Sequence, residues 1–157
     1  YITKYFPNYK IIIAGVGEEL KKYEDIMFNK DKFTIINKRI SFNELLELVE
    51  SCDFLVLPYL EATQSGIVNL ASSFRKPVIC TDVGGLPEQV INMKTGIVVP
   101  PNSPKMLATS IVSLLKDPSM VKKLGNGAYN FASSTSSRDN IANLTSIVYD
   151  RVVKNEK

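Results

Sequence analysis

The sequence contains no histidine in its 157 residues. That absence excludes a histidine-ligated zinc site and any catalytic triad built on an imidazole base. Cysteine is almost as scarce. Cys52 and Cys80 stand among apolar residues, without the Cys-x-x-Cys spacing of a metal or redox motif. They read as buried free thiols, which fits a reducing compartment. Net charge is small as well: +3 is too little to imply a nucleic-acid partner. No apolar run approaches the roughly 20 residues that a membrane span needs.

What is present is the composition of an ordinary soluble domain, with 45% hydrophobic and 22% charged residues, enough for one sizeable core. The chain opens on Tyr1 rather than on Met, and nothing like a signal peptide follows. It is expected to begin inside a larger protein. There are no internal repeats.

Strands alternate with helices. Apolar runs at Lys10–Ala14, Phe33–Ile36, Phe54–Leu57, Val78–Thr81 and Gly96–Val99 read as strands. Their cores are continuous rather than alternating, which indicates a parallel sheet covered on both faces. Helices are expected over Glu18–Phe28, behind Ser41, from about Ser65 to Phe74, after Ser103-Pro104, over Pro118 to about Phe131, and over Arg138–Lys154. Ser41 and Glu44 form a capping box. The helix behind them should turn Phe42, Leu45, Leu46 and Val49 inward. The next should bury Ile67, Leu70, Ala71 and Phe74, and the last Ile141, Leu144, Val148 and Val152. Gly125 and Gly127 should interrupt the fifth helical segment, and Ser133–Ser137 reads as a polar linker before the last. With right-handed crossovers this is an α/β, Rossmann-like doubly wound fold.

The chemistry-bearing residues gather at strand ends. Pro58-Tyr59-Leu60-Glu61-Ala62-Thr63-Gln64-Ser65-Gly66 leads from a strand into a helix. Free N–H groups at that helix start favour a diphosphate, and Gly66 allows close approach. The plainer reading is N-capping by Thr63 or Ser65, and the two are compatible. Glu61 is either a hydrogen-bond acceptor for a ligand or a solvated loop carboxylate. Gly15-Val16-Gly17 is either a ligand-facing turn or a plain tight one. Lys38-Arg39 is either a binding segment or a solvated basic turn. In Gly84-Gly85-Leu86-Pro87-Glu88 the glycines permit positive φ or close packing, Glu88 is expected to support the loop, and Asp82 to cap a turn or helix.

These segments resemble the donor-binding half of family 4 retaining glycosyltransferases, which have the GT-B fold. The resemblance rests on Pro58, Glu61 and Gly66, then Pro77-Val78-Ile79, Asp82-Val83-Gly84-Gly85-Leu86-Pro87-Glu88 and Thr95-Gly96-Ile97-Val98-Val99-Pro100-Pro101. It runs from Ile11 to the last helix. It implies that residues 1–157 are a C-terminal nucleotide-sugar-binding domain, one half of a GT-B enzyme, with residues 138–157 as a terminal helix after the Ser-rich linker. It implies Glu61 as the catalytic-site carboxylate, accepting from a donor-sugar hydroxyl. Gly15, Gly17, Lys38, Arg39, Thr63, Gln64, Ser65, Gly66, Ile67, Asn69, Gly84 and Gly85 are implied as substrate-binding. One feature departs from the pattern: the second family carboxylate, on the helix, is replaced by Asn69 or Leu70 according to the alignment. An Arg and a Lys that neutralise the diphosphate are implied upstream of Tyr1.

The activity implied is transfer of a sugar from a nucleotide diphosphate-sugar to an acceptor, with retention at the anomeric carbon. No metal and no cofactor are implied, and no Asp-x-Asp stands at a strand end. The acceptor, a glycan or lipid, would be held by a missing N-terminal domain. The expected location is cytoplasmic, for the whole enzyme at the inner face of a membrane. The alternatives are a nucleotide-sugar epimerase of the same fold and a non-catalytic nucleotide- or sugar-binding module.

Overall fold

The computed structural model describes residues 1–17, 22, 27, 29–135 and 138–155, the last group with side chains only from 140 to 150. The expected helix over Glu18–Phe28 lies almost wholly outside the described residues. A short helix α1 (Ile2–Tyr5) precedes β1 (Ile11–Ala14). A 3-10 turn at Lys30–Lys32 leads into β2 (Phe33–Ile36), followed by α2 (Phe42–Ser51), β3 (Leu55–Leu57), α3 (Gly66–Ser73) and β4 (Val78–Thr81). Then come α4 (Leu86–Gln89), β5 (Gly96–Val99), α5 (Pro104–Lys116), α6 (Pro118–Thr135) and α7 (Arg138–Asn155).

Every strand pairing is parallel, as the unbroken apolar strand cores predict. The strands form two sheets rather than one continuous sheet: β1 pairs with β2, and β3, β4 and β5 lie side by side in that order. The core belongs to the second sheet. Val78 and Cys80 of β4 join Leu57, Val68, Ala71, Leu86 and Val90 on one face, under α3 and α4. Ile79 points the other way, to Ile97, Val99, Leu114 and Leu124 under α5 and α6. Residue-by-residue alternation along β4 thus fills two helix layers, the arrangement of a Rossmann-like half.

The capping box forms as expected: Ser41 Oγ accepts from the Glu44 N–H at 3.4 Å, and Glu44 accepts from the Ser41 N–H at 2.9 Å. At the other end of α2, Lys76 Nζ donates to the carbonyls of Glu50 (2.9 Å) and Cys52 (2.7 Å), a cation placed where the helix leaves acceptors unpaired.

Several expectations about helix faces need correction. Phe42 is 67% exposed. It is the first residue of α2, and the buried side of that helix centres on Val49 one to two turns later. In α3 the fully buried residues are Val68, Ala71 and Ser72, with Ile67, Leu70 and Phe74 at the margin. Ile141, Leu144 and Val148 of α7 are exposed, because α7 meets only α6 appreciably and nothing among the described residues covers its stripe. The side chain of Val152 is outside the described residues. Gly125 and Gly127 do not interrupt α6, which runs unbroken and takes in Ser133–Thr135 of the expected linker. A Cβ on Gly125 would stand 1.9 Å from the Arg75 carbonyl oxygen, and one on Gly127 2.1 Å from that of Lys94. These glycines let α6 lie directly on neighbouring backbone. Both cysteines are free, Cys80 buried and Cys52 half-buried, and burial pushes both thiols up, Cys80 to about 11.

Candidate active site

Parallel strands bring all the expected site residues to the carboxyl-terminal ends of the sheets, where α/β proteins bind ligands. Within the second sheet, the segment leaving β3 lies against the segment leaving β4. Thr81 Oγ1 donates to the Tyr59 carbonyl at 2.5 Å. The Gly85 N–H donates to the Thr63 carbonyl at 2.8 Å. Gln89 Oε1 accepts from the Ser65 N–H at 3.0 Å, and its Nε2 donates more weakly to the Ser65 carbonyl at 3.4 Å. The loop over residues 58–65 is therefore fastened at Tyr59, Thr63 and Ser65.

The two glycines of the Gly-Gly turn are required by this packing. Gly84 has φ +52, and a Cβ there would fall 1.5 Å from the Ala62 carbonyl oxygen; a Cβ on Gly85 would fall 2.5 Å from that of Thr63. No side chain replaces them without moving the loop. Gly84 and Gly85 thus touch the 58–65 loop itself.

Gly66 is different. It opens α3, and a Cβ built on it meets nothing within 4 Å. Ser65 is the N-cap residue, but its hydroxyl makes no cap hydrogen bond, and Thr63 supplies none either. The Val68 N–H turns back to the Ser65 carbonyl at 3.2 Å, leaving the Gly66 and Ile67 N–H groups without an acceptor among the described residues. Two backbone donors with the positive end of a helix dipole behind them make an anion-favouring position. Glu61 is exposed on the same loop and has no hydrogen-bond or ion-pair partner among the described residues. Thr63 and Gln64 are exposed beside it, and Asn69 is exposed one turn into α3.

The second group of expected residues belongs to the other sheet. The Gly15 N–H donates to the Ile36 carbonyl at 3.1 Å. Asn37 holds the backbone of Gly17 at both its polar groups, accepting from its N–H at 2.9 Å and donating to its carbonyl at 3.3 Å. Lys38 is committed to Glu44 in an exposed ion pair, whereas Arg39 is exposed and has no hydrogen-bond or ion-pair partner among the described residues. Among the described residues no hydrogen bond joins this group to the 58–66 loop. Asp82 is exposed and caps nothing with its side chain; its N–H donates to the Val99 carbonyl at 2.8 Å. The support expected of Glu88 comes instead from its neighbour Gln89, which sequence inspection passed over, as it did Asn37 and Thr81. Nothing in a lone amide one residue beyond a glycine motif marks it as a clamp.

Residues 2–131 match the family described as "Glycosyl transferases group 1". The chain belongs to the group 1 glycosyltransferases. It is 32% identical over 126 residues to an uncharacterised glycosyltransferase of Methanocaldococcus jannaschii, covering 80% of this chain and 35% of that protein. The chain thus spans about a third of that relative's length. Its fold is similar to that of the C-terminal domain of a group 1 glycosyl transferase from Francisella tularensis, with a TM-score of 0.76 at 17% identity over 87% of this chain and 74% of the other. It is also similar to an Anabaena protein solved with UDP-glucose, with a TM-score of 0.72 at 17% identity over 98% of this chain and 44% of that one. These neighbours identify the fold as a Rossmann-like half of a GT-B glycosyltransferase. No described helix is long and apolar enough to cross a membrane.

Proposed function

We propose that the protein transfers a sugar from a nucleotide diphosphate-sugar to an acceptor with retention of the anomeric configuration, and that this chain supplies the donor site. Gly66 carries the reading. Nothing among the described residues requires a glycine there, since its missing side chain leaves open space rather than relieving a clash. A glycine at the mouth of a helix whose first N–H groups are free leaves room for a diphosphate to reach the backbone. Developing negative charge on a departing diphosphate is stabilised by such fixed donors without reorganisation. Glu61, unpartnered on the same loop, is suited to accept from a donor-sugar hydroxyl, and Asn69 offers a neutral partner to a ribose hydroxyl. The Anabaena neighbour solved with UDP-glucose supports this class of ligand. The acceptor, a glycan or lipid, is assigned to parts of the protein outside residues 1–157.

The test is product analysis with the full-length protein and a panel of UDP-, GDP- and ADP-sugars, the anomeric configuration being read by NMR. A transferred sugar with the donor's configuration is expected. An epimerised free nucleotide sugar would establish the same-fold epimerase instead, and binding without product a non-catalytic module. Gly66→Ala supplies the site-specific arm: with open space around its Cβ it should leave stability unchanged or raise it by up to about 1 kcal/mol. It should also weaken nucleotide-sugar binding, and unchanged binding in that variant would remove the main support.

A further inference from the structure

Gln89 is half-buried on α4, and its side chain reaches across to the backbone of one residue of another segment. That residue is Ser65, immediately before the free Gly66 and Ile67 N–H groups. The Ser65 N–H is the last donor before helix α3 that a ligand would otherwise compete for, and Gln89 Oε1 takes it at 3.0 Å. Gln89 Nε2, 3.4 Å from the Ser65 carbonyl oxygen, holds the next peptide, the one that carries the Gly66 N–H. Ser65 itself is 7% exposed, so its peptide cannot readily exchange these partners for water. A carboxylate in place of this amide would still accept from the Ser65 N–H, but would set a negative charge one residue from the anion-favouring donors.

We propose that Gln89 is a positioning residue of the donor site. Its neutral amide orients the peptides on either side of Ser65 so that α3 begins with the Gly66 and Ile67 N–H groups presented to the diphosphate, without adding a competing charge. The proposal rests on the donor-site reading above and adds to it the residue that holds the site in shape. The Gly85 contact to Thr63 and the Thr81 contact to Tyr59 fix the loop upstream, but neither reaches the helix start.

Two variants of the full-length protein separate the shape and charge contributions. Gln89→Met keeps the volume and removes both hydrogen bonds. Gln89→Glu keeps the acceptor for the Ser65 N–H and adds the charge. Binding of UDP, GDP and ADP would be measured by calorimetry beside the corresponding nucleosides, with amide exchange at Ser65 followed by NMR. For the nucleoside diphosphate that the wild type prefers, Gln89→Met should raise Kd by about tenfold, the scale of one lost hydrogen bond. Ser65 should exchange faster in that variant, and nucleoside affinity should stay the same. Gln89→Glu should raise the diphosphate Kd further, and that excess should shrink as salt is raised. Wild-type diphosphate affinity in both variants would overturn the proposal while leaving the donor site standing. Parallel loss of diphosphate and nucleoside affinity would also overturn it, marking a general loosening. A wild-type protein that binds none of the diphosphates would sink the donor-site reading itself, and this proposal with it.

Discussion

Glu61 and Glu44 illustrate how one residue type takes two roles according to its neighbours. Glu61 is exposed on the rim of the second sheet, and its removal breaks no hydrogen bond or ion pair among the described residues. Glu61→Ala should change stability by less than about 0.5 kcal/mol, the range of surface substitutions. Turnover of the full-length enzyme should nonetheless fall by at least about 100-fold, or roughly 2.7 kcal/mol of barrier. Wild-type turnover in the variant would remove Glu61 from the site. Glu44, by contrast, is held by Lys38 first and by the Ser41 N–H and hydroxyl after it, which lowers its carboxyl from 4.5 to about 2. The folded state therefore binds fewer protons than the unfolded state across that interval. The resulting stabilisation is complete above about pH 4.5 and is lost as the pH falls towards 2. Melting curves of wild type and Glu44→Gln should differ most above pH 4.5 and converge as the pH approaches 2. A difference that does not change with pH would contradict the cap and ion pair as drawn. The capping box was legible in the sequence because its two partners lie three residues apart. The Gln89–Ser65 clamp spans 24 residues and leaves no local trace.

At the scale of elements, the five strands were legible because each is a short apolar run bounded by turn residues, and each lies within a residue of its expected place. Glycine was the ambiguous letter. It reads as a helix breaker on propensity, yet the same missing side chain permits close packing, and only the partner segment decides between them. In α6 the partner is the end of α3. Arg75 closes α3 at φ 55, sets its guanidinium 3.8 Å from the Tyr129 ring, donates to Asn126 at 3.0 Å, and lays its carbonyl on Gly125. In an exposed helix interior, Gly→Ala is worth about 0.5–1 kcal/mol of stabilisation. Gly125→Ala should do the reverse and destabilise by about 2 kcal/mol or more, because the new Cβ meets backbone that cannot yield as a side-chain tip would. Chemical denaturation reads the sign directly, and a stabilised variant would mean that α6 does not press on the Arg75 carbonyl. The apolar stripe of α7 shows the opposite limit. Its period was correctly read as helical, but periodicity says nothing of what, if anything, lies over the face.

The molecule as a whole is unevenly built. No described residue before Val49 is fully buried, while the interior from Val49 to Ala128 is packed on both faces of the three-stranded sheet. The sequence could not reveal this division: the apolar runs of β1 and β4 look alike, and only their neighbours in space differ. Among the described residues β1 pairs with β2 alone, and Ile12 and Ile13 are exposed. An isolated two-stranded pair is marginal in water. The two halves of the binding rim therefore rest on supports of different strength. Gly15, Gly17 and Lys38 follow the two-stranded sheet, whereas Glu61, Ser65 and Gly66 follow strands anchored in the core. Native-state hydrogen exchange on the 157-residue chain should resolve this. Amides of Ile13 and Ile36 should exchange through local openings at least about 100-fold faster than those of Ile79 and Cys80, whose release needs global unfolding. The Ser65 amide should fall between, held by Gln89 at the edge of the core. Added denaturant should accelerate the β4 amides steeply and the β1 and β2 amides hardly at all, since local openings expose little surface. Equal protection and equal denaturant dependence in both sheets would mean that the chain unfolds as one cooperative unit and that the rim is uniformly supported.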